Sequence, residues 1–212
     1  MMHLFEALLA LHDATQSNEI YKDAEDLANS IYSKLFQEKG GYLPEVYDEN
    51  WKPLPVSESG RIHLGHQFEW AFLLSQAFDR GFPQRYMTIG ERLLEYGMKV
   101  GYDRETGGIY NNSDYDGKRE ERSKGWWQQD EHLRALMNYA ALRGRPDLWE
   151  PFEQSLAFWK QNFMDAEYGG SYSSYSPDKP REGSDFNKGR TGQVGYHVCS
   201  SYLEAVRLTG GF

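Results

Sequence analysis

The amino-acid sequence predicts an all-α protein, an (α/α) toroid of helical hairpins that amounts to about half of an (α/α)6 barrel, with short strands in its loops. Three observations support this prediction. Apolar residues recur at three- and four-residue intervals along most of the chain. Gly-Gly turns recur at long and similar intervals between pairs of predicted helices. The predicted helices are too few to close a ring of six two-helix hairpins.

Helical periodicity is clearest after Asn18, where apolar residues and tyrosines alternate with acids and lysines. Pro83 and Pro146 each follow closely on a glycine, a pattern typical of one helix ending and the next beginning. Together these signals predict seven helices, at about residues 1–15, 18–38, 62–80, 83–100, 124–143, 146–164 and 190–209.

A recurring element separates the pairs of helices. Gly-Gly turns at 40–41, 107–108 and 169–170 each follow a predicted helix, and the second glycines are 67 residues apart (41 to 108) and then 62 (108 to 170). This period exceeds those of the common solenoids and suits hairpins that circle a central cavity. Each turn leads into a short aromatic stretch with strand character. These stretches are residues 42–47, 109–115 and 171–175.

Seven helices leave such a ring open. Either the chain is a shorter protein with an open arrangement or it is part of a longer ancestor, and we favour the second. Open ends would expose apolar helix faces, which is unusual in a soluble monomer. We therefore expect self-association, or pairing with another half-barrel chain, through the helices near 1–15 and 190–209. The expected apolar contacts are Phe5, Leu8, Leu9, Val206 and Leu208.

Composition excludes several classes of protein. The net charge of −9 and the lack of a basic run argue against a nucleic-acid partner. No apolar stretch approaches the roughly 20 residues that span a bilayer, and the N-terminus lacks the features of a signal peptide. The single cysteine, Cys199, is expected to be a small packed residue and suits a reducing compartment. We expect a soluble cytoplasmic protein with one domain, residues 1–212.

Aromatic residues make up 15% of the chain, and several lie in polar, glycine-rich stretches. A pyranose ring has apolar C–H faces and a polar rim, so aromatic side chains beside polar groups suit sugar binding. Filling of the core explains most of these residues taken one at a time.

Three of the six histidines lie in contexts that suit proton transfer. His66 is followed one helical turn later by Glu69, and His3 by Glu6 at the same spacing. A carboxylate beside an imidazole raises the pKa of the ring and fixes its tautomer. His197 opens the last predicted helix after a polar loop. A single histidine in a helical protein is more often a surface or core residue, so the interpretation depends on the set.

Two adjacent tryptophans, Trp126 and Trp127, begin a predicted helix that carries Glu131 one turn later. Adjacent side chains point in different directions, so at least one indole is expected to face the cavity, and Glu131 could hold a substrate hydroxyl. For each residue alone, a core tryptophan or a solvated acid is an equally good explanation.

Other chemistries have little support in the sequence. Histidines and glutamates could ligate zinc or iron, but no HExxH or comparable short spacing occurs, so we favour acid–base use and expect no metal. A phosphate-binding loop, a GxGxxG dinucleotide motif and a GxSxG nucleophile motif are all absent from the sequence.

Four motifs, in order along almost the whole chain, resemble those of the N-acylglucosamine 2-epimerase superfamily. Residues 3–7 resemble its HxxEA helix, residues 65–70 its GHxxEW helix and residues 126–131 its WWxQxE helix, while His197 resembles the histidine of its last helix. Each motif is weak by itself, and the four in order are strong evidence. The resemblance implies the C-terminal half of an (α/α)6 barrel.

The resemblance also implies roles for individual residues. His66 and His197 would be the acid–base pair, and His3 and Glu69 would support the substrate and the protonation states. Trp127 would line the sugar cleft, with Glu131 beside it as a further substrate-binding residue. An arginine and aromatic residues that the superfamily contributes from its first half have no counterpart here. The substrate would be a hexose or an N-acylhexosamine, with no cofactor.

The implied reaction is proton transfer at C2 of an open-chain sugar. One imidazole removes the C2 hydrogen, and a proton returns to C2 for epimerisation or to C1 for aldose–ketose isomerisation. The alternative is a non-catalytic carbohydrate-binding half-barrel that needs a partner for activity. A glycoside hydrolase or lyase is a weaker alternative, because glycosidases need two opposed carboxylates.

Overall fold

A computed structural model describes residues 1–119, 121–178, 180–182, 187–188 and 195–211. All seven predicted helices are found in these ranges. The start predicted at residue 190 for the last helix lies outside them. The helices are α1 (Met2–Thr15), α2 (Asn18–Leu35), α3 (Leu64–Asp79), α4 (Gln84–Tyr96), α5 (Trp126–Leu142), α6 (Trp149–Asn162) and α7 (Tyr196–Leu208).

The helices form two layers. Helix α3 packs against α4 and α5, and α5 packs against α3, α6 and α7. These two helices are buried on nearly all sides, with 12 of 16 residues buried in α3 and 14 of 17 in α5, as expected of core helices. Helix α4 buries only 5 of its 13 residues along one stripe. Helix α1 contacts α3 and α7 contacts α5, so α1, α3, α5 and α7 form one layer, and α2, α4 and α6 pack on its outer side.

The three Gly-Gly turns share a backbone hydrogen-bonding pattern. In each turn, the backbone N–H of one residue donates to the carbonyl oxygen five positions later, and the carbonyl oxygen of the same residue accepts from the N–H four positions later. This residue is Gln37 in the first turn, Asp103 in the second and Asp165 in the third. The turns are thus 66 residues apart (37 to 103) and then 62 (103 to 165). The first turn is offset by one residue from the predicted match, because Tyr42 occupies the place of the second glycine.

Short strands precede two of the inner helices. Strand β1 (Ile62–His63) pairs antiparallel with β2 (Asn112–Ser113), and β3 (Lys124–Gly125) pairs antiparallel with β4 (Ser174–Tyr175). The predicted strand-like stretches 109–115 and 171–175 each contain one of these strands. The stretch 42–47 has only isolated bridges at Tyr42 and Tyr47. Because β1 and β3 end where α3 and α5 begin, each pairing fixes the start of an inner helix.

The predicted edge contacts are partly wrong. Phe5 and Leu9 are buried in the hydrophobic core among residues of α2 and α3, because this face of α1 turns towards its own neighbours. Leu8 is partly buried against the same core, and Val206 is exposed. Cys199, expected to be packed, is also exposed. Other large apolar side chains are exposed on α1 and α7, namely Leu4, Leu11, Tyr202 and Leu203.

Within the described ranges, no helix combines the length and the apolar character needed to cross a bilayer.

Candidate active site

The four inner helices begin at the same end of the molecule, and each contributes a candidate side chain from its first turn. These side chains are His3 of α1, His66 of α3, Trp127 of α5 and His197 of α7. The ring contacts described below bring all four together. The sequence-predicted residues Glu69 and Glu131 lie one turn deeper on α3 and α5 and are fully buried.

Trp127 lies between the two predicted acid–base histidines. Its ring centroid is 4.9 Å from that of His66 and 5.1 Å from that of His197, with which it stacks at 28°. The two imidazoles are therefore no further apart than the sum of these distances. Their side chains are 26% and 15% exposed, so both retain access to the space beside the indole.

Gly65 allows the indole to come this close to α3. A Cβ atom at this position would lie 2.9 Å from Cζ3 of Trp127 and 2.7 Å from Cγ of Gln128. Both distances are too short for a real contact, so the glycine of the GHxxEW motif makes room for the side chains of α5.

His66 is held by a carboxylate from the loop that precedes α3. Its Nδ1 lies 2.7 Å from Oε2 of Glu45. Burial raises the pKa of Glu45, but its hydrogen bond and ion pair with His66 outweigh this effect and leave the pKa below its ordinary value. An ionised Glu45 can only accept, so Nδ1–H donates and Nε2 is the atom of neutral His66 that can take a proton. Glu69, expected to pair with His66, does not.

His197 has an equivalent arrangement. Its Nδ1 lies 2.7 Å from Oε1 of Glu131, and the other carboxylate oxygen of Glu131 lies 2.6 Å from Nη2 of Arg134. Burial lowers the pKa of Arg134, but the neighbouring carboxylates, led by Glu131, raise it further than burial lowers it. The buried position of Glu131 therefore suits orientation of His197, with Nε2 again free for proton transfer.

His3 lies at the mouth of the site. Its side chain is 63% exposed, and its Nδ1 is 3.4 Å from Oε2 of Glu6 and 3.6 Å from Oε1 of Glu69. The His3 ring contacts those of Tyr196 and His197 at centroid distances of 5.7 and 6.4 Å. A cleft of about 250 Å³ opens between the starts of α1 and α3. It is lined in part by His3, Glu45, His66 and Trp70.

Glu69 is the most perturbed acid of the site. Burial, reinforced by the charge of Glu131, raises the pKa of Glu69 to about 9, although Arg134 lowers it in part. Neither of its carboxyl oxygens makes a hydrogen bond within the described part of the chain. A neutral carboxyl group in this position can donate a hydrogen bond, which an ionised one cannot.

Two groups of these side chains could offer ligands to a metal ion. Within each group, the possible ligand atoms lie within 4.8 Å of one another. The first group is His3, Glu6 and Glu69, and the second is Glu69, Glu131 and His197. In the second group, the carboxylate of Glu131 is already paired with the cation Arg134, and Nδ1 of His197 already contacts the same carboxylate.

Comparison with known proteins decides the family. The family model for N-acylglucosamine 2-epimerase (GlcNAc 2-epimerase) matches residues 1–201. The chain belongs to the N-acylglucosamine 2-epimerase family. Among curated members, it is 31% identical over 143 residues to mannose-6-phosphate isomerase of Rhizobium meliloti (strain 1021). The matched residues are 66% of this chain and 37% of that protein.

A second relative and a solved structure agree with this assignment. D-mannose isomerase of Marinomonas mediterranea (strain ATCC 700492 / JCM 21426 / NBRC 103028 / MMB-1) is 26% identical over 220 residues, covering 97% of this chain and 54% of that protein. A crystal structure of D-mannose isomerase has a TM-score of 0.86 at 23% identity and covers 97% of this chain and 55% of that one. The chain thus spans about half the length of these two proteins. The structural match confirms the predicted fold, a partial (α/α)6 toroid.

Three residues that contact the predicted site residues were assigned no role from the sequence. Glu45 lies in the loop after the first Gly-Gly turn, so no helical spacing links it to His66. Arg134 follows Glu131 at i+3 on α5, a spacing that could have indicated the ion pair. His63 lies in β1, and its ring centroid is 4.6 Å from that of His66.

Proposed function

We propose that this chain provides the acid–base side of a sugar 2-epimerase or aldose–ketose isomerase, with His66 and His197 transferring the proton. The observation that supports this most is their matched arrangement. Each imidazole has its Nδ1 2.7 Å from a carboxylate oxygen, and both rings lie against Trp127. Two oriented imidazoles in contact with the same indole suit a reversible proton transfer at carbon.

The proposed reaction begins with an open-chain sugar beside Trp127. Nε2 of one imidazole takes the proton from C2, the C–H electron pair forms a C1–C2 double bond, and the carbonyl π pair moves to O1. The resulting enediol(ate) collapses when a proton is delivered to C2 or to C1. Delivery to the opposite face of C2 gives the epimer, and delivery to C1, with loss of the O2 proton, gives the ketose.

The surrounding groups suit this chemistry. Glu45 and Glu131 hold the Nδ1 protons of His66 and His197, which directs both Nε2 atoms to the reaction. Glu69 is fully buried beside His3, so it can support the protonation state of that exposed ring, which faces the substrate. The first turns of four helices converge here, and their partial positive charge favours an enediolate.

Hydrogen exchange in deuterated water tests the proposal. The chain would be incubated with D-mannose, N-acetyl-D-glucosamine and cellobiose, both alone and with a chain carrying the remaining hairpins of a full-length relative. Proton NMR would follow loss of the C2 hydrogen signal and would identify the product as an epimer or a ketose. We expect exchange with at least one sugar. No exchange with any sugar, in an assembly that binds them, would contradict the proposal.

A carbohydrate-binding half-barrel is the second candidate, because the chain spans about half of the relatives reported above. It predicts sugar-dependent quenching of tryptophan fluorescence without exchange of the C2 hydrogen. The two readouts therefore separate binding from catalysis in the same sample.

A further inference from the structure

His63 is a partly buried titratable residue that the proposed reaction does not use. It is the last residue of β1, where it is paired in register with Asn112. Its sequence neighbours Ile62 and Leu64 are both fully buried. The backbone at His63 is therefore fixed from both sides, which gives the imidazole a defined place beside the start of α3.

The His63 ring packs against the two central rings of the site. Its centroid is 4.6 Å from that of His66 and 4.8 Å from that of Trp127, at interplanar angles of 36° and 30°. The centroids of His66 and Trp127 are themselves 4.9 Å apart. The three aromatic rings thus contact one another in a closed triangle.

This triangle supplies what the hydrogen bond of His66 lacks. The contact between Nδ1 and Glu45 is one hydrogen bond to a partly exposed carboxylate, so it restrains rotation of the ring about Cβ–Cγ only as tightly as that carboxylate is held. Contacts on the face of the ring narrow this rotation and so the direction of the Nε2 lone pair. We propose that His63 is a positioning residue that, with Trp127, holds the ring of His66 in the plane required for proton transfer. The proposal rests on the function proposed above.

The charge state of His63 agrees with this role. Burial, followed by the neighbouring His66, lowers the pKa of His63 to about 3. Its Nδ1 is buried without a hydrogen-bond partner among the described residues, an environment that a charged ring would not tolerate. A neutral His63 adds no repulsion when His66 becomes protonated during the reaction. Packing, and not charge, is then what His63 contributes.

Two substitutions separate packing from polarity. His63→Phe keeps an aromatic ring without nitrogens, whereas His63→Ala removes the ring. The matched control is His12→Ala, which removes a histidine near the end of α1 whose Nδ1 contacts the carbonyl of Ser17 at 3.0 Å. Far-UV circular dichroism and thermal melting would confirm that each variant is folded before any comparison.

The primary readout is the orientation of the His66 ring, from nuclear Overhauser contacts between its Cδ2 and Cε1 protons and the indole protons of Trp127. We expect one defined set of contacts in the parent chain, in His63→Phe and in His12→Ala. We expect His63→Ala to give contacts that are weakened by averaging over several ring orientations. An unchanged set of contacts in His63→Ala, or averaging in His63→Phe, would overturn the positioning role.

The second readout is the rate of C2 hydrogen exchange in an active assembly. His63→Ala should lower kcat at least about tenfold with little change in KM, because misalignment acts on the transferring atom. His63→Phe should remain close to the parent. If the NMR pattern is as expected and no chain catalyses exchange, the proposed function fails and the positioning of His66 stands.

Discussion

Replacement of Glu69 by Gln tests the electrostatics of the site without requiring activity. The pKa of Glu69 is raised from 4.5 to about 9 by burial and by Glu131. Between these values, the folded chain holds a proton that the unfolded chain has lost. The stability that this proton contributes is therefore fully present below the pKa of Glu69 in the unfolded chain. It is lost as the pH rises through the pKa in the folded chain, by up to about 1.4 kcal/mol per pH unit.

The Gln side chain has the same shape and cannot ionise, so this contribution should vanish in Glu69→Gln. From pH 5 to pH 8, the parent chain should lose up to about 4 kcal/mol relative to the variant. Urea denaturation at each pH unit measures the difference. Glu49→Gln, at an exposed loop position, is the matched control and should parallel the parent. If Glu69→Gln also parallels the parent across this range, Glu69 is not a neutral acid in the folded state.

Three further predictions concern packing, a buried ion pair and the open edges. Gly65→Ala should destabilise the fold by about 1–3 kcal/mol in thermal melts, because its Cβ would overlap Trp127; the usual gain from Gly to Ala in a helix would contradict the overlap. Asp103→Ala should cost about 3–5 kcal/mol in chemical denaturation, since it leaves the buried ammonium of Lys124 without its 2.8 Å partner, and an unchanged midpoint would refute that pairing. Light scattering should show that the parent chain forms an assembly larger than a monomer, and Leu203→Glu on α7 should shift this assembly towards the monomer. A monomeric parent chain would mean that the apolar faces of α1 and α7 are covered within the chain.

Helices were the most predictable part of the fold, because each has its own apolar stripe and start or stop signals. The helix predicted at 83–100 illustrates this. It is α4 followed by a single π-helical turn, Gly97–Gly101. Strands β1 and β3 were not predicted, because each runs directly into an inner helix and its two residues were included in the helices predicted at 62–80 and 124–143.

The site was predictable where its residues share a motif and not where they meet across a loop. His66, Trp127 and His197 were found because each opens an inner helix. Helical spacing indicated Glu69 as the partner of His66, but one turn along α3 leads deeper into the core. The actual partner, Glu45, is 21 residues earlier, a distance over which no local pattern reports contact.

The choice of edge residues failed for a related reason. Helix α1 carries apolar residues on more than one face, and the face with Phe5 and Leu9 is buried by the helices of the same chain. Sequence periodicity shows that an apolar face exists but not which neighbour covers it. The exposed Leu4 and Leu11 became apparent only once α1 was placed against α2 and α3.

The central claim is that His66 and His197 transfer the proton. The most direct test is the rate of C2 hydrogen exchange for His66→Ala and His197→Ala in an assembly active on its sugar, with His12→Ala as the control. Circular dichroism would confirm that all three are folded, and tryptophan fluorescence that they still bind the sugar. We predict that both site variants lose exchange while the control retains it. Full exchange in both site variants would contradict the assigned roles.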